Sequence, residues 1–167
     1  MDTSFLSELT SLLASSGLTV ATAESCTGGS VAAALTHQAG ASAFFRGAVV
    51  AYQNDIKKKL LSVSSTDIER YTAVCEPVAL AMAEGVRRLL GADIGISTTG
   101  VAGPSGGSTE IPVGTVWIGW ATADGSSAHC LQISGTRAEV IAEAGHQALL
   151  TIFDLCKNKL QSLITHK

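Results

Sequence analysis

An α/β fold, built as a three-layer α/β/α sandwich around a mixed β-sheet, is predicted by three features of this sequence. Its apolar residues switch repeatedly between the 3.6-residue rhythm of helices and short β-rich runs, in the order α-β-α-β-α-α-β-loop-β-β-α. Two late β-rich runs flank Asp124-Gly125, a hairpin signal, which argues against an all-parallel sheet. Three polar clusters, residues 24–29, 52–57 and 99–107, follow predicted strands directly, where open α/β sheets collect ligands.

Each element has its own signal. Phe5, Leu6, Leu9, Leu12 and Leu13 keep helical spacing, and Gly17 is placed to stop that helix. Residues 18–23, "LTVATA", form an apolar run and predict a buried strand. An alanine-rich helix is expected over 29–38, ending near Gly40. "FFRGAVVAY", residues 44–52, predicts the second strand, after which Asn54 or Asp55 is positioned to cap a short helix carrying Lys57, Lys58 and Lys59. A helical turn is expected near residues 67–70. "PVALAMAEGVRRLLG" is a helix with Pro77 in its first turn and Gly91 just past its end, and Arg87 and Arg88 on its solvent side. Residues 92–100 predict the third strand. "VAGPSGGSTEIP" is a loop too rich in Gly, Pro and Ser for regular structure. The hairpin follows, and a last helix presents Ile141, Ala144, Ala148, Ile152 and Leu155 on one face.

Composition narrows the class. The chain has 167 residues with 46% hydrophobic and 15% charged content, which suits one soluble domain spanning residues 1–167. A net charge of -3 with a single short basic run argues against a nucleic-acid surface. No apolar run approaches the roughly 18 residues of a membrane span, and the acidic start does not resemble a signal peptide. Cys26, Cys75, Cys130 and Cys156 form no CxxC pair, and the histidines show no ligand spacing, so neither a metal nor another cofactor is expected and a cytoplasmic setting is.

The stretch "AESCTGGSVAA" concentrates polar groups at a strand-to-helix corner. Ser25 or Thr27 is able to cap the helix. Alternatively the helix start offers unpaired N–H groups to an anion or oxyanion, with Gly28 and Gly29 permitting close approach. The stretch is neither a phosphate loop, which needs a lysine, nor a GxSxG elbow. No histidine is placed to activate Ser25: His37 and His146 fall within helices and His129 within a strand. A desolvated lysine is the other available base. Lys57 is favoured because it lies three and four residues before Leu60 and Leu61, although a charge run ordinarily faces solvent. Cys26 is a secondary candidate nucleophile, since a helix start favours thiolate. The loop of about a dozen residues is long enough to suggest function, with backbone amides and the hydroxyls of Thr98, Thr99, Ser105 and Ser108 available to a ligand. Arg137, in the first turn of the last helix, opposes the helix dipole and so is either tolerated or awaiting an anion.

"TAESCTGG", "GAVVAYQNDIK", "TGVAGPSGG", "PVGTVW" and "SGTR" occur in this order, and in this respect the chain resembles the CinA C-terminal domain family over about residues 6–160. That family's enzymatic members are PncC-type nicotinamide-nucleotide amidases. The resemblance implies hydrolysis of nicotinamide mononucleotide to nicotinate mononucleotide and ammonia, a metal-independent Ser/Lys mechanism, and a homodimer or higher homo-oligomer. It implies Ser25 as nucleophile, Lys57 as general base, Thr99 as a relay or positioning hydroxyl, and Tyr52 and Arg137 as substrate contacts. Thr27, Gly28, Gly29, Gly100, Gly103, Gly106 and Gly107 fall in the two glycine-rich stretches that match the pocket walls. Thr72 and Cys75 stand where glycine and serine are common in the family, Ile111 where lysine is common, and Ile141 where a second arginine often follows. Larger members carry an additional N-terminal domain, so the chain is expected to be a stand-alone form. The same resemblance leaves open a non-catalytic nucleotide-sensing module tied to competence or DNA damage.

Overall fold

The structure is a computed structural model describing residues 3–165, with side chains through 161. Its elements are α1 (Thr3–Ser16), β1 (Val20–Glu24), α2 (Ser30–Thr36), a 3₁₀ turn (Ala41–Ala43), β2 (Phe45–Val50), α3 (Asn54–Leu61), α4 (Ser65–Tyr71), α5 (Glu76–Leu90), β3 (Ile94–Gly100), β4 (Thr115–Ala121), β5 (Ser126–Gln132) and α6 (Arg137–Thr165). The five strands form one sheet in the order β2-β1-β3-β4-β5. β1 pairs in parallel with β2 and β3, whereas β3–β4 and β4–β5 are antiparallel. The mixed sheet and its hairpin are therefore as the sequence predicts, with the turn running from Thr122, whose amide bonds Gly125 O, back into β5.

α1, α2 and α6 pack on one face of the sheet; α5 covers the other, with α3 and α4 against it. Two cores result. Leu6, Leu9, Leu13, Ile94, Ile96, Val116, Ile118, Ala144, Ala148 and Ile152 belong to the first, and Ala21, Ala23, Leu61, Val78, Met82 and Val86 to the second. Alternate residues of β1 feed opposite cores, Val20 one and Ala21 the other, as a strand's period of two requires. α5 lies unusually close to the sheet. A Cβ on Gly119 would sit 2.6 Å from Ala79 O, and one on Gly95 would run into Ala83 O, so a side chain at either position would have to push α5 off the sheet. Between them Ser97 Oγ donates to Ala79 O at 2.6 Å.

Local details depart from expectation where tertiary contacts override sequence cues. The caps proposed for α3 are not used: Gln53 is its N-cap residue and no side chain bonds there. The turn near residues 67–70 is a full helix, α4, capped by Ser64, whose hydroxyl accepts from the Asp67 amide. Arg88 is exposed beside Glu84, as expected, but Arg87 Nε donates to Asp93 O. Thr72 adopts φ 71° and ψ 178°, a conformation that disfavours a β-branched residue. Among the described residues no helix is long and apolar enough to cross a membrane.

Candidate active site

β1 is flanked by β2 on one side and β3 on the other, so the chain leaves it over one face and returns over the opposite face. That reversal opens a crevice beyond the carboxyl ends of the strands. A cavity of about 270 Å³ occupies it. Ser25 enters from the end of β1, Tyr52 from the end of β2, and Thr99 and Gly100 from β3; α3 contributes Lys57, and α6 contributes Arg137. A larger recess of about 390 Å³ lies at the other end of the sheet, near Leu18, Ile94 and Leu155. There Asp124 and Lys159 pair with each other at 3.8 Å.

Lys57 is the least expected feature of the core. Its neighbours Lys58 and Lys59 are exposed, yet Lys57 is only 1% exposed. The one-turn offset that aligns it with Leu61 on α3 turns its side chain inward. Nζ lies 3.0 Å from Ser25 Oγ, 2.9 Å from Ala51 O and 3.1 Å from Tyr52 O. Among the described residues no carboxylate forms an ion pair with it. Desolvation pulls its pKa below the ordinary 10.5, with nearby Cys26 acting weakly in the other direction. Nζ donates to the Ser25 hydroxyl and to the two carbonyls, so its three partners are all uncharged, and loss of one proton would leave a lone pair able to accept from Ser25.

The Ser25 corner differs from both sequence-based alternatives. Neither Ser25 nor Thr27 caps α2, and the helix start is not open to a ligand. Glu24, 1% exposed, folds its carboxylate back over the turn. Oε2 accepts from Thr27 Oγ1 (2.7 Å) and the amides of Gly29 (2.9 Å) and Val31 (3.1 Å); Oε1 accepts from the Ala32 amide (2.8 Å) and Thr22 Oγ1 (3.2 Å). The three amides can only donate, so both carboxylate oxygens serve as acceptors, one to Gly29 and Val31 and the other to Ala32. Thr27, Gly28 and Gly29 thus build this turn instead of lining the cavity, and the positive φ of both glycines (63° and 103°) serves the turn. Nothing in the periodicity pointed to Glu24; the only signal was a carboxylate ending an apolar strand just before a helix.

The remaining predicted residues divide similarly. Gly100, Gly103 and Gly106 line the cavity together with Ser105. Gly107 does not: a Cβ there would meet Val113 N at 2.7 Å. Thr99 lines the cavity, but its hydroxyl donates to Ala73 O at 2.7 Å, so it ties the α4–α5 connection to β3 and bonds neither Ser25 nor Lys57. Arg137 reaches across 85 positions of sequence to donate to Tyr52 OH (3.0 Å) and also donates to Gly103 O (2.8 Å), forming one wall. Cys26 is buried, and burial foremost pushes its thiol up to about 11, overriding the expected thiolate preference of a helix start. His129 packs against Trp120 and His146 against Phe5, away from the cavity. Ala73 and Val74 are cavity residues that the sequence did not single out, and Asn54, expected only as a helix cap, also lines the cavity. Among the described residues no three His, Cys, Asp or Glu are grouped to hold a metal ion.

The molecule is thus a three-layer α/β/α protein with a serine and a buried lysine meeting at the carboxyl edge of its sheet. The chain belongs to the CinA C-terminal domain family, whose model matches residues 2–156. It is 48% identical over 143 residues to a CinA-like protein of Chlorobium limicola, covering 83% of this chain and 33% of that one. The chain spans about a third of the length of the curated relatives it matches. Similar solved structures include a CinA superfamily protein of Klebsiella pneumoniae, with TM-score 0.88, 33% identity and coverage of 93% of this chain and 97% of that one. Another is a competence/damage inducible protein of Agrobacterium tumefaciens, with TM-score 0.85, 36% identity and coverage of 90% and 95%.

Proposed function

We propose that this chain is an amidohydrolase that cleaves the carboxamide of nicotinamide mononucleotide, giving nicotinate mononucleotide and ammonia. One observation carries this reading: the buried Lys57 Nζ stands 3.0 Å from Ser25 Oγ in a cavity open to small molecules. Serine needs a base to act as a nucleophile, and a desolvated amine is neutral over more of the pH range. Lys57 takes the Oγ proton as Oγ attacks the carboxamide carbon. As the C–N bond breaks, the lysine returns that proton to the leaving nitrogen, which departs as ammonia. Water then attacks the acyl-serine ester, giving one proton to Lys57, which passes it to Ser25 as the ester opens.

With the Gly29 amide engaged by Glu24 and the Gly28 amide by Ser25 O, the oxyanion donors under this reading are the amide of Cys26 and those of Ala102 and Gly103. Arg137 and the loop amides near Gly106 receive the phosphate. The protein works without a metal and as a homodimer or higher homo-oligomer, which light scattering on the purified chain measures. The decisive test is ammonia release from a panel of nucleotide and amino-acid amides. Ser25→Ala should lower turnover by at least about a thousandfold while leaving the fold intact. Wild-type protein that binds the mononucleotide but releases no ammonia would instead support a sensing module.

A further inference from the structure

We propose that Glu24 is a positioning residue for Ser25, acting through the corner that it holds and not merely as a cap for α2. The proposal rests on the Ser25–Lys57 reading above. Three connections distinguish it from ordinary capping. First, the carboxylate is tied to the neighbouring strand: Thr27 Oγ1 bonds both Glu24 Oε2 and Thr98 Oγ1, each at 2.7 Å. Second, Thr98 also receives the nucleophile's own backbone, because the Ser25 amide donates to Thr98 O at 2.9 Å. Third, the Glu24 main chain meets the lysine's support. Ala51 donates its amide to Glu24 O at 2.8 Å and accepts Lys57 Nζ on its carbonyl at 2.9 Å. Glu24 is therefore one peptide bond from the nucleophile and one residue removed from the base, and its side chain fixes the direction in which the chain leaves β1.

The requirement is for an acceptor on both oxygens. Glu24→Gln preserves size and reach but turns an NH₂ group toward donors. Whichever way the amide flips, it faces at least one backbone N–H, that of Ala32 or those of Gly29 and Val31. The corner must then shift, and the Oγ–Nζ separation with it. A displacement of about 1 Å at a reacting atom costs on the order of a hundredfold in rate.

The test measures the rate at which a fluorophosphonate acylates Ser25, alongside steady-state ammonia release, in wild type, Glu24→Gln and Thr27→Val. Rates are expressed per folded molecule, with the folded fraction taken from urea titration. We expect Glu24→Gln to acylate on the order of a hundred times more slowly, with kcat falling in parallel and KM within about twofold because Glu24 does not line the cavity. Thr27→Val, which removes the hydroxyl that links Glu24 Oε2 to Thr98 Oγ1, should slow acylation by about tenfold while keeping the helix amides satisfied. If Glu24→Gln loses stability yet its folded molecules acylate at the wild-type rate, Glu24 is only a cap and the proposal is overturned. Should Glu24→Gln fail to fold, wild-type acylation by Thr27→Val overturns it. Acylation does not depend on the natural substrate, so a wild type that reacts with the probe but releases no ammonia counts against the proposed substrate and not against this role.

Discussion

Lys57→Met keeps an unbranched side chain of nearly the same reach but carries a thioether and no amine, so it tests whether the folded protein holds this lysine neutral. Wild-type Lys57 is 1% exposed and its folded pKa lies below 10.5, chiefly through desolvation. The unfolded chain carries it at the ordinary value. Between the folded pKa and 10.5 the unfolded state therefore binds one more proton than the folded state, and wild-type stability rises with pH across that window. Conversely, this contribution is lost as pH falls, down to the folded pKa. The slope inside the window is about 1.4 kcal/mol per pH unit. The variant lacks this slope. It does leave Ala51 O and Tyr52 O without their lysine donor, a pH-independent loss of roughly 2–6 kcal/mol if both stay dry. The variant should thus be most destabilised relative to wild type near pH 10.5 and progressively less so as pH falls. Urea unfolding of both proteins between pH 7 and 10.5 gives the difference directly, because every other titrating group cancels to first order. Parallel curves would falsify the reasoning: they would mean that Lys57 titrates as an exposed lysine does and is no neutral base. Turnover of the variant should fall at least about a thousandfold at every pH.

Three further outcomes are expected. Arg137→Ala should raise KM for nicotinamide mononucleotide by about 10- to 100-fold, the value of a lost charge-assisted contact, and change KM for the riboside much less; equal effects on the two would remove the arginine from phosphate binding. Thr72→Gly should stabilise the fold by about 1 kcal/mol, since relief of an unfavourable φ of 71° outweighs the extra backbone entropy of glycine; a lower urea midpoint would contradict this. Gly95→Ala should destabilise by about 1–3 kcal/mol through overpacking against α5, whereas a neutral change would show that α5 yields easily.

Much of the fold was legible because it is encoded locally. Leu6, Leu9 and Leu13 repeat at the helical period, Gly17 and Gly91 adopt the positive φ that ends a helix, and Ile94 and Ile96 alternate on one strand face. The candidate site was legible in part. Ser25, Tyr52, Thr99 and Arg137 stand where strands end or a helix begins, and the cavity collects all four. Lys57 stood out from Lys58 and Lys59 only weakly, because helical spacing shows which residues share a face but not whether that face is covered. Glu24 was legible only as the first member of the polar cluster 24–29; its role was not, since a carboxylate folding back onto the amides of residues five, seven and eight positions ahead leaves no periodic trace.

By itself the sequence determined the kind and order of elements, the mixed character of the sheet and the polar corners at its strand ends. These follow from side-chain periodicity and from the backbone limits of glycine and proline, which act over a few residues. Only the tertiary structure decided the strand order β2-β1-β3-β4-β5, the burial of one lysine among three, and the loss of the helix start to Glu24. Those outcomes depend on segments far apart in the chain, such as Ser25 with Lys57 and Tyr52 with Arg137. Their contacts form because packing excludes water and leaves each buried donor or acceptor to find a partner wherever the fold brings one.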